Sequence, residues 1–365
     1  MNEVAMYYMG FSHCYGIGPL KFALLMKYFV GVKEAYCGSP TLLKKVLGDG
    51  WAGRFISFRK RFDLRKKYFE IQSKHIAVIG MGDRIYPSSL RKISDPPICL
   101  YVKGNMDNID FDKDKLFAIV GTRQPTSYGQ QVTYSFASQL SEAGCVIVSG
   151  LAMGVDTIAH KATLAAKGKT IAVLGCGVDI VYPSSNQLLY QEIIEQKGLI
   201  LSEFPPGMLV QRGLFIARNR IISGLSMGTL VVEGAKHSGA LITASYAAQQ
   251  GRDVFAPPVP ITSAMSEAPN SLLKSGAIFV TQASDILEEY GIKKKNFEKS
   301  ELKYLNEEER RIIDILLQEA QDADELVFIT KKPIHTILHI LSLLEMKGLI
   351  DRQSEGKYQT KLMRK

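Results

Sequence analysis

The stretch "FAIVGTRQPTSYG", residues 117–129, runs from a continuous apolar segment into a glycine, a threonine and an arginine, and then into a polar turn. An apolar run without polar alternation is a strand covered on both faces, as in a parallel sheet. "CVIVSG", "TIAVLG", "LILSEF", "GTLVVEG" and "DVFAPP" share that character. Between the runs, amphipathic periodicity predicts helices over about 128–143, 155–167, 184–197, 218–225 and 239–250. Strand and helix alternating in this order give right-handed crossovers and a doubly wound, mostly parallel sheet. Ligands of such a sheet lie outside the carboxyl ends of its strands.

Outward from that core the pattern changes twice. Residues 1–75 read as short helices broken by glycine and proline. Within them "GIGPLKFALLMKYF" has the form of a helix-hairpin-helix turn, in which free amides face a phosphate, or of a plain turn between two core helices. Residues 76–290 form the sheet domain, 291–303 a polar linker, and 304–365 three helices and a short hairpin, the outline of a winged helix. The segments "IAVIGMGDRIYPSS" (76–89) and "IAVLGCGVDIVYPSS" (171–185) echo one another, which we read as two similar strand-to-loop exits.

Charge is unevenly spread. The 365 residues carry 45 Lys+Arg against 36 Asp+Glu, a net of +9. Residues 1–75 account for +8 (13 against 5), whereas residues 298–365 are near neutral, at 12 against 13. The basic run Arg54–Lys74, "RFISFRKRFDLRKKYFEIQSK", interleaves cations with aromatics and is either a solvated helix face or a surface for polyanions. Five scattered cysteines without a C-x-x-C pair suggest reduced thiols, with no disulfide framework or zinc site. No apolar run reaches the ~20 residues that span a bilayer, and the N-terminus lacks a secretion signal, so a cytoplasmic protein is expected.

The residues with chemistry cluster at strand exits. Gly121, Thr122 and Arg123 end the first core strand, where small residues let backbone amides approach a phosphate and an arginine adds charge. The second exit, "VSGLAMGVDTIAHKATL", carries Gly150, Gly154, Asp156, His160 and Lys161. Asp156 and His160 stand four apart on one helix face, and we read them as fixing the helix to its loop in preference to acid–base work. Neither "GMGDRI" nor "GCGVDI" completes G-x-G-x-x-G, so no dinucleotide cofactor is implied. In "SEFPPGMLVQRGLFIARNRIISGLS", Arg212, Arg218 and Arg220 surround Phe215, and Asn219 lies between the last two arginines. Cations around an aromatic ring offer charge to phosphates and a flat face to a base. Glu233 is the expected internal partner of either Arg218 or Arg220, leaving the other for a ligand.

Taken in order, "VGTRQPTSYG", "SGLAMGVDTIAHKATL", "TIAVLGCGVDIVYP", "SEFPPG", "FIARNRIISGLS" and "SGALITASYAAQQGRDVFAPP" resemble the DNA-processing DprA/Smf family. The resemblance implies an α/β fold: an extended Rossmann-like domain flanked by a small N-terminal sterile-alpha-motif-like or helix-hairpin-helix domain and a C-terminal winged helix. It implies a non-enzymatic, cytoplasmic, single-stranded DNA-binding protein that protects incoming DNA in natural transformation and loads the recombinase RecA. The resemblance places the family's DNA contacts on Arg123, Arg212 and Phe215; the residues themselves add Gly121, Thr122, Gly150, Lys161, Asn219 and one of Arg218 and Arg220 as candidate DNA contacts. "APNSLLKSGA" resembles the family's dimerisation region, placing Leu272 and Leu273 in a homodimer surface shared with or near the RecA contact. Ser184 stands where family members often carry a DNA-contacting lysine, and Ile216 where proline is frequent. The rival reading is a Rossmann-like phosphoribohydrolase acting on nucleotides, although the P-G-G-x-G-T loop of those enzymes is absent.

Overall fold

Apolar runs need apolar neighbours on both sides, and residue parity along the strands shows how this chain supplies them. The computed structural model describes residues 3–292, 306–346, 349–353 and 356–360. One sheet comprises β1 (Ala77–Gly80), β2 (Cys99–Lys103), β3 (Leu116–Val120), β4 (Val146–Ser149), β5 (Thr170–Val173), β6 (Leu199–Ser202), β7 (Gly228–Val231), β8 (Asp253–Ala256) and β9 (Ile278–Phe279). Their spatial order is β1-β2-β6-β5-β4-β3-β7-β8-β9. β2 runs antiparallel to β1 and β6, and all other neighbours are parallel. The sequence reading holds for the six quoted strands and for β1, the strand of the 76–89 exit, and lacks β2 and β9.

Six short helices precede the sheet: α1 (Glu3–His13), α2 (Pro19–Tyr28), α3 (Val32–Cys37), α4 (Pro40–Leu47), α5 (Asp49–Arg61) and α6 (Leu64–Ser73). Rings fill their core; Phe11 stacks on Phe55 at 5.0 Å and meets Phe22 edge-on at 5.2 Å. Gly16 turns the chain between α1 and α2 with φ +95°, and a Cβ there would lie 2.0 Å from the Trp51 ring. α1 also docks on the sheet. The Tyr8 ring covers Gly80 and Gly82, and a Cβ on Gly80 would meet it at 2.3 Å.

Within the sheet region lie α7 (Ser88–Arg91), α8 (Ser127–Glu142), α9 (Val155–Ala165), α10 (Gln187–Glu195), α11 (Arg212–Leu225), α12 (Gly239–Gln249), α13 (Glu267–Lys274) and α14 (Ala283–Glu289). Ala118, Val120, Val148 and Val173 face α11 and α12, through Ile221, Ile222, Ala240 and Ala244. The alternate residues Phe117, Ile119 and Ile147 face α8 and α9, through Phe136, Leu140, Val155 and Ala159. The chain winds β3-β4-β5-β6 in one direction and resumes beside β3 at β7 to continue the other way. That reversal opens a crevice at the carboxyl ends of β3 and β7, the place where sheets of this kind bind ligands. α11 begins six residues before the predicted 218; its first two turns include the exposed residues Arg212, Gly213 and Ile216.

Residues 295–365 form a second compact unit. Its described part holds α15 (Glu307–Leu316), α16 (Ala323–Thr330), α17 (Ile334–Met346) and a hairpin of β10 (Ile350–Arg352) with β11 (Tyr358–Thr360), around a core that includes Ile313, Leu326, Leu344 and Tyr358. Reciprocal capping boxes start α15 (Asn306/Glu309) and α16 (Asp322/Glu325). All but the first two residues of the expected 291–303 linker lie outside the described residues. Among the described residues no single helix is long and apolar enough to cross a membrane. All five cysteines are free: Cys14, Cys99, Cys145 and Cys176 are buried and Cys37 is exposed.

Candidate functional site

The exit of β3 is stitched to two other elements. Thr122 N donates to the Glu233 carbonyl at 2.8 Å, and the Thr122 carbonyl accepts from Val155 N at 3.1 Å. Gly121 permits this closeness, since a Cβ there would approach the Val155 side chain to 2.6 Å. Glu233 is fully buried under the start of α8. Its two carboxylate oxygens accept from Thr126 N at 2.9 Å and Thr126 Oγ1 at 2.6 Å. A carboxylate at a helix N-terminus complements the macrodipole. The expected pairing of Glu233 with Arg218 or Arg220 is therefore corrected: this acid anchors α8.

With its loop fixed on both sides, Arg123 points outward. It is exposed, and its guanidinium carbon lies 5.9 Å from the centroid of the Phe215 ring. Phe215 is half-buried on the first turns of α11, seated on Gly175, where a Cβ would come within 2.9 Å of the ring. Tyr182, which is 44% exposed, flanks it at 5.4 Å. Arg212, three residues before Phe215, opens the helix and is exposed. Among the described residues neither Arg123 nor Arg212 forms an ion pair. Lys161, within α9, is likewise exposed.

The other two arginines of α11 belong to the scaffold. Arg218 is 4% exposed, and its Nη1 donates to the carbonyls of Gly150, at 2.5 Å, and Val173. Gly150 has to be glycine for this, because a Cβ would sit 2.1 Å from that nitrogen. Asp156 accepts from Gly150 N and Ala152 N at 3.1 and 3.4 Å; burial raises its pKa against the pull of Arg218. Arg220 is 3% exposed and binds Glu203 through both terminal nitrogens, at 2.8 and 2.7 Å, while Nε reaches Asp95 at 2.7 Å. Asn219 accepts from Arg218 Nε and donates to the Gly239 carbonyl. Where the sequence left one of Arg218 and Arg220 for a phosphate, both guanidinium groups are buried and held by partners within the chain. Asp95 and Glu203, the real partners, carry no spacing signal that links them to residue 220.

His160 is buried, and its Nδ1 meets Thr170 Oγ1 at 2.7 Å. That hydroxyl donates to the Ile147 carbonyl, so Nδ1 carries the proton. Burial and the Arg218 charge hold the His160 pKa down at about 3. The residue ties α9 to β4 and β5 through this hydrogen-bond chain, and Asp156 is bonded to the loop amides instead. Leu272 packs against the sheet core, and Leu273 beside it is half-buried.

Carboxylates around the rim are already engaged. Glu233 holds Thr126, Glu203 holds Arg220, Asp156 binds loop amides, and Asp179 accepts from Lys74 Nζ and Gly207 N. Arg123 and Arg212 are left as uncompensated charge beside a solvent-accessible ring. Such a rim suits a flexible polyanion that carries flat bases.

Known proteins resemble most of the chain. The family described as DNA recombination-mediator protein A matches residues 77–291, and the DprA winged helix domain matches residues 299–356. Protein Smf of Synechocystis is 37% identical over 80% of this chain and 73% of its own length. DNA processing protein DprA of Bacillus subtilis is 42% identical over 59% of this chain and 71% of its own length. Among solved structures, DNA processing protein A from Streptococcus pneumoniae superposes with TM-score 0.68 at 34% identity, covering 78% of this chain and 97% of that one. A Helicobacter pylori DNA processing protein A, described for its single-stranded DNA binding mode, gives TM-score 0.53 at 32% identity, covering 59% of this chain and 95% of that one.

Proposed function

Because the chain belongs to the DNA recombination-mediator protein A family, we propose that it binds single-stranded DNA at the carboxyl edge of its sheet. Arg123 and Arg212 neutralise phosphates there, and Phe215, with Tyr182 behind it, stacks on a base. The amides of Gly121 and Thr122 help shape the loop, and Lys161 adds potential at the rim. One observation carries the reading: an exposed Arg123 guanidinium 5.9 Å over a half-buried ring, at a switch point whose acids are all occupied. The strand-binding mode described for the Helicobacter relative supports the choice of ligand.

In this reading residues 76–290 are the DNA-binding domain, residues 1–75 and 304–365 are appended modules, and no step of covalent chemistry is assigned. The protein acts in the cytoplasm, shields an incoming strand during transformation, and delivers it to RecA. It works as a homodimer through the α13 surface around Leu272 and Leu273. Binding is salt-dependent and nearly indifferent to base, since phosphate contacts carry no sequence information. Oligothymidylate titration tests the site. Arg123→Ala with Arg212→Ala lowers the log–log salt slope by about 1.4, from roughly 0.7 per phosphate contact on single strands. Wild-type affinity and slope in that double variant would place the DNA elsewhere. A RecA strand-exchange assay on coated DNA tests the delivery step.

A further inference from the structure

Resting on that reading, we propose that the strand continues from the Phe215 rim onto the outer face of α6, where Phe69 is a second base platform and Arg65 and Lys66 hold phosphates. The run 54–74 has eight cations and only two acids. Both acids are used locally: Asp63 accepts from Lys66 N at 2.9 Å and Glu70 pairs with Lys67 at 3.3 Å. Arg65 and Lys66 are exposed and form no ion pair among the described residues; Glu3, the carboxylate near Arg65, is held by Lys33 at 3.0 Å. Both cations stand in the first turn of α6, where the macrodipole disfavours positive charge, so the helix itself gains nothing from them.

Phe69 is 54% exposed, although the same helix buries Tyr68 and Ile71. It lies four residues after Arg65 and three after Lys66, on their face of the helix. The spacing repeats the site already described, in which Arg212 precedes Phe215 by three on α11. In both places an exposed cation stands one turn before a ring that solvent can reach. α6 is also joined to the rim. Lys74, just beyond its end, reaches Asp179 Oδ2 at 3.3 Å, in the loop after β5 that presents Tyr182 to Phe215. Five residues of helix put Phe69 roughly 8 Å along the axis from that anchor. A basic face with an aromatic platform, continuous with a single-strand site, fits more of the same strand.

The test uses the full chain carrying Arg65→Ala, Lys66→Ala and Phe69→Ala, with thermal melting to establish that it folds as the parent does. Anisotropy is read on oligothymidylates of roughly 6 and roughly 20 nucleotides, lengths that bracket single-site footprints. The longer strand is expected to bind at least tenfold more weakly, with its salt slope reduced by about 1.4, while the shorter is unchanged. Parental affinity for the longer strand, equal losses at both lengths, or a loss confined to duplex DNA would each overturn the proposal. Phe215→Ala separates the two readings. If it weakens both lengths while the triple variant weakens neither, the rim stands without the extension; if it weakens neither length, the rim reading falls and the extension with it.

Discussion

Arg212 and Arg123 differ from Arg218 and Arg220 in one respect that matters more than their shared chemistry: the second pair has its anions and carbonyls inside the protein, and the first does not. Three of the four lie on α11. A guanidinium keeps its charge at any ordinary pH, so each must meet a partner or water. Arg220 has a forked contact with Glu203 and a third bond to Asp95, and Arg218 has two backbone carbonyls with Asp156 nearby. Those contacts fix the helix that displays Phe215. The inner pair therefore builds the platform on which the outer pair works, and residue type alone would have given all four the same role.

The sharpest way to break this comparison is Arg220→Ala. It strands the mostly buried Glu203, and removing one partner of a buried ion pair costs about 3–5 kcal/mol. Chemical denaturation should show that loss in a protein whose folded fraction still binds DNA. A destabilisation below ~1 kcal/mol would mean that Glu203 relaxes to solvent and that Arg220 is no scaffold.

Acidification gives the next largest effect and divides the pairs differently. Burial holds His13 at about 4 and His160 at about 3, against an ordinary value of about 6.5. The unfolded chain binds those protons first, so stability is complete above that ordinary value and falls as pH drops toward the folded values. Between pH 7 and pH 5 each histidine removes about 2 kcal/mol. Arginines do not titrate there, so oligothymidylate affinity measured on folded protein should stay level while the melting temperature falls. An affinity that moved in step with the melting temperature would assign binding to a titrating group.

The smallest effect on stability belongs to the outer pair. Arg123→Ala with Arg212→Ala should change the unfolding free energy by no more than about 0.5 kcal/mol, as exposed substitutions without internal partners do. A larger loss would reveal an intramolecular role and return these residues to the scaffold.

The parallel sheet was readable because its strands are uninterrupted apolar runs with helical periods between them. β2 and β9 escaped for different reasons: β2 joins the sheet antiparallel to both of its neighbours, β1 and β6, and β9 is two residues long. In the site, Arg123, Arg212 and Phe215 could be picked out because their types suit a polyanion and the strand exit places them at one edge. Burial of Arg218 and Arg220 could not, since their acceptors are the carbonyls of Gly150 and Val173 and the acids Asp95 and Glu203, brought close only by the crossovers. Glu233 was recognised as an internal partner but given the wrong one, because a carboxylate beneath a helix start is defined by the turn that Thr126 makes after the strand.

Cys37 is the exposed thiol among five. Burial pushes the other thiols up, Cys14 and Cys176 to about 11 and Cys99 and Cys145 to about 12, which starves them of reactive thiolate at neutral pH. A maleimide dye will therefore attach at one native position in the helical module, without engineered cysteines. Energy transfer from that dye to a labelled oligonucleotide would report how far along the protein a strand extends.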